Sequence, residues 1–101
     1  MAMDAITATL ANVSGSASSV TLQAANTARR GLAIHNDSTA VLYVKLGSTA
    51  SATSFTVRLA AQDHYELPLV IGRSGTQTVY AGIVTGIWDS ATGSARVTEY
   101  T

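Results

Sequence analysis

The chain has few imidazole and carboxylate side chains, and most of them lie in two short stretches. His35 stands two residues before Asp37, and His64 is flanked by Asp63 and, two residues further on, by Glu66. On a strand, residues two apart point to the same face, so His64 and Glu66 could supply two ligands to a metal ion. A zinc site needs at least three protein ligands, and the neighbouring sequence does not space a third. We therefore expect a surface histidine paired with a carboxylate or an arginine, without a metal or other cofactor.

Nucleophilic chemistry is not indicated by the sequence either. The chain has no Gly-x-Ser-x-Gly motif, and Ser16 and Ser74 stand in sequences typical of turns. It contains no cysteine, which excludes thiolate nucleophiles and disulfides. The glycines at 72–75 lack the Gly-Lys-Ser/Thr of a phosphate-binding loop. We predict that the protein is not an enzyme; the alternative is a hydrolase that uses His64 and Glu66.

Small, uncharged side chains dominate the composition. Ala, Ser and Thr supply 17, 11 and 14 of the 101 residues, and charged residues are 12% with a net charge of zero. Without an excess of Lys and Arg, counterion release does not drive binding to nucleic acid or to an anionic membrane. No apolar run approaches the ~18 residues of a membrane helix, and Asp4 interrupts the layout of a signal peptide. A neutral surface favours association, so we expect this chain to bury surface against copies of itself or a partner.

The elements that carry these residues are predicted to be strands. Apolar and polar residues alternate at 42–46, 55–59 and 65–69, and turn residues such as Gly72 to Gly75 separate the alternating segments. A helical period is weak and confined to 22–30. The predicted strands are 5–12, 19–24, 31–36, 40–46, 54–59, 64–70, 77–88 and 94–100. This spacing predicts one all-β domain, an antiparallel β-sandwich or a jelly-roll-like barrel of about seven to eight short strands.

Two segments depart from simple alternation. Residues 77–88 are apolar on both faces, which predicts a central strand with Trp88 in the core, and Gly82 and Gly86 predict a bulge or a close approach of another backbone. Pro68 cannot donate to a ladder, so its strand is predicted to lie at a sheet edge or to end there.

The N-terminal 28 residues are interpreted separately from the sandwich body at 29–101. They contain no Lys, Arg or aromatic residue. One alternative is a hairpin about residues 14–16 with Ile6, Leu10, Val20 and Leu22 packed inward. The other is an extended arm that orders only against a neighbour.

The polar positions of the predicted strands indicate a protein interface. Tyr and Arg with few acids are the residue types enriched at such interfaces, although an ordinary solvated sheet face has polar residues too. The tandem Arg29–Arg30 either pairs with a partner's carboxylates or simply flanks the start of a strand. The predicted interface residues are Arg29, Arg30, His35, Tyr43, Lys45, Arg58, His64, Glu66 and Arg96.

The segment 29–47 (RRGLAIHNDSTAVLYVKLG) resembles a hairpin found in small structural proteins of tailed bacteriophages and prophages. The stretches 64–68 (HYELP) and 82–88 (GIVTGIW), leading to 93–100 (GSARVTEY), fit the same resemblance, which covers roughly residues 27–100. Its motifs are turn glycines and alternating strand residues. Members of such groups look like capsid cement or decoration proteins, or small tail- and fibre-associated β domains.

This resemblance implies a virion protein on the outer surface of the phage head, made in the host cytoplasm. We expect a capsid decoration protein that binds the major capsid protein as a small homo-oligomer, a dimer or a trimer, with no nucleic-acid or membrane partner. The alternative is a tail- or head-fibre-associated sandwich that acts as an adaptor or binds a receptor glycan. In that role an exposed aromatic ring would stack on sugars, and the candidates are Tyr43, Tyr65, Tyr80 and Trp88.

Overall fold

The computed structural model describes residues 5–71 and 77–101, and these residues form strands and loops. The strands are β1 (Ala8–Ser14), β2 (Val20–Gln23), β3 (Gly31–Asp37), β4 (Leu42–Leu46), β5 (Val57–Leu59), β6 (His64–Glu66), β7 (Val70–Ile71), β8 (Gln77–Thr78), β9 (Val84–Trp88) and β10 (Ser94–Tyr100). Within these ranges no helix is long and apolar enough to cross a bilayer. The turn predicted at 72–75 lies outside the described residues.

Eight of the strands build two antiparallel sheets of four strands each. Sheet A has the order β1-β10-β3-β6, sheet B has the order β2-β9-β4-β5, and β7 and β8 form a separate two-stranded ribbon. The pairs are nested, because β1 pairs with β10, β2 with β9, β3 with β6 and β4 with β5. A long hairpin wrapped in this way into two layers has the connectivity of a jelly roll. The predicted all-β antiparallel sandwich is therefore confirmed.

The core lies between the two sheets. β3 and β10 alternate buried and more exposed residues along their whole length, as expected of strands with one face on a core. In β9 four of the five residues are buried, and Trp88, at 2% exposure, lies in the core as predicted. A Cβ on Gly86 would lie 2.8 Å from Leu22 Cδ1 and 3.0 Å from Leu42 Cδ1. The glycine thus lets these leucines pack directly on the backbone of β9.

Other segments differ from their predicted bounds. The strand expected at 77–88 is divided into β8 and β9, because the backbone at 79–83 leaves the extended ladder. The residues with a weak helical period, 22–30, end β2 and continue as a loop. β6 ends at Glu66, two residues before Pro68, and it is an edge strand of sheet A as predicted.

The N-terminal residues belong to the sandwich. β1 pairs with β10 in sheet A, whereas β2 pairs with β9 in sheet B, so the hairpin predicted about residues 14–16 does not form. Leu22 is buried as that hairpin required, but Ile6 and Leu10 are 61% and 76% exposed. Residues 5–28 therefore contribute one strand to each sheet, because the chain crosses between the two layers after β1.

A buried ion pair lies at the start of β3. Arg29 Nε donates to Glu99 Oε2 over 2.8 Å, and the two side chains are 0% and 8% exposed. Arg29 also donates to the carbonyl oxygens of Ala24, Tyr80 and Gly82, and Glu99 accepts from Gln23 and Asn26. These bonds join β10 to the loop after β2 and to the segment before β9.

A neutral polar cluster lies at the other end of β3. The Asn36 side chain is fully buried, and its Oδ1 accepts from Ser38 Oγ at 2.9 Å and from Trp88 Nε1 at 3.1 Å. Its amide nitrogen donates to the carbonyl oxygens of Ala40, Leu59 and Ala60. In the described part of the chain, every buried side-chain nitrogen and oxygen has a hydrogen-bond partner. Both ends of β3 are thus fixed by saturated polar contacts.

Replacing Arg29 tests whether the fold depends on the pairing of the buried Glu99 carboxylate. Arg29→Ala leaves the Glu99 carboxylate buried without its cation, so we expect the free energy of unfolding to fall by about 3–5 kcal/mol. Arg58→Ala, the same change at an exposed position, should stay within about 0.5 kcal/mol of the wild type. Urea unfolding followed by circular dichroism measures both. Equal effects of the two substitutions would show that the pair is not a stabilising contact.

Candidate functional site

The residues predicted to form one interface lie at separate places in the sandwich. Tyr43, Lys45 and Arg58 lie on β4 and β5 of sheet B, whereas four others lie on the sheet A strands β3, β6 and β10. The sheet A group is His35, His64, Glu66 and Arg96. The outer faces of two packed sheets point in opposite directions, so these groups form two surfaces. The sequence pattern gives the outward orientation of each side chain but does not say which sheet its strand joins.

Arg29 belongs to neither surface. Its side chain is buried against Glu99 of its own chain, so it does not meet a partner's carboxylate as one of the predicted alternatives required. The next residue, Arg30, is exposed, and its backbone N–H donates to the Tyr100 carbonyl oxygen at 2.7 Å. Both arginines lie just before β3; burial excludes Arg29 from an interface, and an interface role for Arg30 stays a prediction.

Four polar residues form a row across the outer face of sheet A. The register places Asn12 of β1 beside Arg96 of β10, Arg96 beside His35 of β3, and His35 beside His64 of β6. Because adjacent strands are about 4.8 Å apart, this row spans roughly 14 Å. We call these four residues, together with Asp37 and Gln62, the polar row.

Hydrogen bonds connect most of the polar row into one network. Arg96 donates from Nε to Asp37 Oδ2 at 2.8 Å and from Nη1 to Asn12 Oδ1 at 3.2 Å. Gln62 joins the other end of the network, since its amide nitrogen lies 3.5 Å from Asp37 Oδ1 and its amide oxygen 3.2 Å from His35 Nε2. The side chains are thus held in position at the surface without a partner present.

Gln62 has an unusual backbone conformation that supports this arrangement. Its φ of 66° is in the left-handed region, which costs energy for a residue other than glycine. The Gln62 N–H donates to the Asn36 carbonyl oxygen at 2.9 Å, which fixes the turn before β6 against β3. This turn brings the Gln62 side chain between His35 and Asp37.

The electrostatics of the polar row centre on Asp37. The hydrogen bond from Arg96, followed by that from Gln62, lowers the pKa of Asp37 below its ordinary value of 3.8. The Arg96 and Asp37 side chains are 58% and 35% exposed, so the pair is open to solvent. Asn12, Asp37 and Gln62 were not predicted as interface residues. The spacing of His35 and Asp37, two apart on one strand, was the signal available for Asp37.

The rest of this face combines an acid with apolar residues. His64 and Glu66 are both exposed on β6, two residues apart and on the same side. The register aligns Glu66 with Ala33, Thr98 and Leu10 in the next row. Among residues 5–71 and 77–101, no three His, Asp or Glu side chains are grouped as metal ligands would be. The arrangement is suited to contact with another surface.

The outer face of sheet B carries one aromatic pair. The rings of Tyr43 and Phe55 lie 5.0 Å apart at 57°, and Phe55 is 40% exposed. Tyr43 stands between Ile87 and Arg58 on the neighbouring strands. The other three aromatic residues considered for sugar stacking are in or against the core: Tyr65, Tyr80 and Trp88. Tyr43 is therefore the member of that set on an outer face.

No protein-family model, curated protein or solved structure matches this chain. A functional conclusion therefore depends on the fold and on the two outer faces. The polar row is the more extensive of the two surfaces, because it connects residues from β1, β10 and β3 and from the turn before β6.

The lowered pKa of Asp37 predicts a pH-dependent contribution to stability. A carboxyl whose pKa is depressed in the folded state stabilises the fold above its unfolded pKa and loses this effect as pH falls through the folded value. Asp37→Asn should therefore lower the urea midpoint at pH 7, and the difference from wild type should disappear as pH falls below 3.8. In an Arg96→Ala background the Asp37→Asn effect at pH 7 should be smaller, because Arg96 is the main cause of the lowered pKa of Asp37. A difference that grows on acidification would contradict the assignment.

Proposed function

We propose that this protein is a structural component of a tailed-phage virion, a decoration protein that binds the major capsid protein on the outer surface of the head. It acts through contact and has no catalytic role. The resemblance of residues 29–47 to a phage structural hairpin supports this proposal. The jelly-roll connectivity supports it by analogy, since viral capsid domains use the same architecture.

The observation that carries the proposal is the hydrogen-bonded polar row on the exposed face of sheet A. Its side chains are ordered before binding, so association costs less conformational entropy than it would for free side chains. The bonds to Asp37 and Asn12 use two of the five N–H groups of Arg96 in the described residues. The remaining donors suit a carboxylate or a carbonyl oxygen on a capsid subunit.

The symmetry of a capsid shell determines how strongly each copy of such a protein must bind. Each copy must bridge or cover capsid subunits that repeat by symmetry, so one modest contact is multiplied over the whole particle. A rigid sheet face meets this requirement because it presents the same geometry at every site. The sandwich has that rigidity, since saturated polar clusters fix both ends of β3.

Binding to shells tests the proposal directly. Purified protein is mixed with heads of its own phage assembled without it, and co-sedimentation measures binding. We expect wild-type protein to bind and to raise the resistance of the heads to heat or low salt. Arg96→Ala should weaken binding by roughly tenfold or more, because it removes the central residue of the polar row. Arg58→Ala removes the same side chain from the opposite face and should bind like wild type.

Two results would contradict this function or its assigned face. Heads that bind no copies, or bind them without any change in resistance, would exclude a decoration role. Loss of binding in Arg58→Ala with normal binding in Arg96→Ala would place the contact on sheet B.

A second candidate function comes from the aromatic face of sheet B. Tyr43 and Phe55 form an outward aromatic pair beside Arg58, which is a combination that stacks on sugar rings and bonds their hydroxyl groups. In this role the protein is a fibre-associated module that binds a cell-surface glycan. Tyr43→Ala should then abolish binding on a glycan array, whereas Tyr100→Ala, at an exposed tyrosine of sheet A, should not. An array without signal for the wild-type protein would remove this candidate.

A further inference from the structure

β1 leaves one long edge of sheet A unpaired among the described residues. It has seven residues, whereas the other edge strands β2, β5 and β6 have four, three and three. An unpaired edge presents backbone N–H and C=O groups in the geometry that a further strand requires. The length of β1 makes it the best template for strand addition in this part of the molecule.

The register identifies the backbone groups that face outward. Thr7 and Thr101 exchange both hydrogen bonds, at 3.0 and 2.9 Å, so they are a hydrogen-bonded pair of the antiparallel ladder. Such pairs alternate along a strand, which makes Thr9, Ala11 and Val13 the residues that bond to β10. The N–H and C=O groups that point away from the sheet are those of Ala8, Leu10, Asn12 and Ser14.

The features that usually protect an edge are absent from β1. Soluble proteins protect their edges with lysine, proline, bulges or very short strands. In sheet A, the edge strand β6 is short and followed by Pro68; in sheet B, β5 carries Arg58 and β2 has a register shift opposite β9. β1 has no charged residue and no proline, and its pairing with β10 is regular over all seven residues.

We infer that the edge of β1 binds the same edge of a second copy of this chain. If Ala11 lies opposite Ala11 of the second copy, Ala8 pairs with Ser14 and Leu10 with Asn12 across a two-fold axis. This register matches every outward N–H and C=O group of one strand with an outward group of the other. The pairing is self-complementary, as a two-fold interface requires, and neither strand has a charge that would oppose it.

The side chains on the outer face fit this arrangement. Leu10 is 76% exposed and would stand beside Asn12 of the second copy. Next to the edge of each copy is a groove lined in part by Asn12, Arg96 and Thr98. The Leu10 side chain of the other copy would cover this groove. The product is a continuous eight-stranded sheet with a polar row on each half.

This inference goes beyond the proposed function and does not depend on it, because the edge of β1 can pair with a second copy whether or not the protein binds a capsid. Pairing of two short strands covers an area at or below the lower limit of stable interfaces, about 1,200 Å² in total. We therefore expect a dimer whose population depends on protein concentration. Sedimentation velocity over a wide concentration range measures the monomer–dimer equilibrium.

Two substitutions of Leu10 test the edge without disturbing the fold. Leu10→Pro removes an N–H that points outward, and proline is tolerated at such edge positions. Leu10→Lys adds the charge that usually protects an edge. Because a two-fold axis applies each change twice, both variants should weaken the dimer by roughly tenfold or more. Leu69→Lys, the same change at a leucine that is 60% exposed elsewhere, should dimerise like wild type.

Hydrogen exchange provides an independent measurement on the wild-type protein. At low concentration the amides of Thr9, Ala11 and Val13 should be protected and those of Leu10 and Asn12 should exchange fast. At high concentration both sets should be protected. This pattern also confirms that β1 is folded in the Leu10 variants, in which the first set should remain protected.

Three outcomes would overturn the inference. A wild-type chain that is monomeric at every concentration would exclude a second copy as the occupant, and heads that bind wild type but not Leu10→Pro would then assign the edge to the capsid protein. A dimer that Leu10→Pro and Leu10→Lys leave unchanged would place self-association on another surface. Amides of Leu10 and Asn12 that exchange fast in the dimer would exclude strand pairing.

Discussion

The buried ion pair between Arg29 and Glu99 is the contact on which the geometry of sheet A depends. Burying two charges is costly, and the cost is offset here because each charged group is saturated with hydrogen bonds. The pair holds the start of β3 against the end of β10. It thereby sets the register of the seven residue pairs that join β3 to β10. One of these pairs places His35 beside Arg96. The polar row at the surface is thus a consequence of a charge pair in the interior.

Asn36 has the corresponding role at the other end of β3. Its side chain points inward and bonds to Trp88 and to three backbone carbonyl oxygens, while His35 and Asp37 on either side point outward. Since side chains alternate along a strand, a slip of one residue would bury His35 and Asp37 and expose Asn36. The core amide therefore specifies which residues form the outer network. The polar row and the stable interior are therefore not separate properties of this fold.

Local alternation was enough to predict the strand class and the outward orientation of His35, Tyr43 and Arg96. It was not enough to place these residues on a common surface, because the nested pairing brings together strands from opposite ends of the chain, as β1 and β10 show. Arg29 illustrates the same limit. Its partner Glu99 is 70 residues away in the sequence, and two adjacent arginines taken alone predict exposed side chains. The hairpin expected near residues 14–16 failed for a related reason: its two strands have better partners in different sheets.

The low charge of this chain has a physical connection to its topology. β1 is an edge strand of sheet A, so one sheet carries both the polar row and the unprotected edge. A lysine at position 12 of β1 would protect the edge, but it would stand directly beside Arg96 of β10. Like charges on directly opposed positions destabilise a sheet, and the Asn12 amide avoids this while still accepting a bond from Arg96. The neutral side chain at this position therefore preserves the surface network, while the edge of β1 lacks the charge that usually protects an edge.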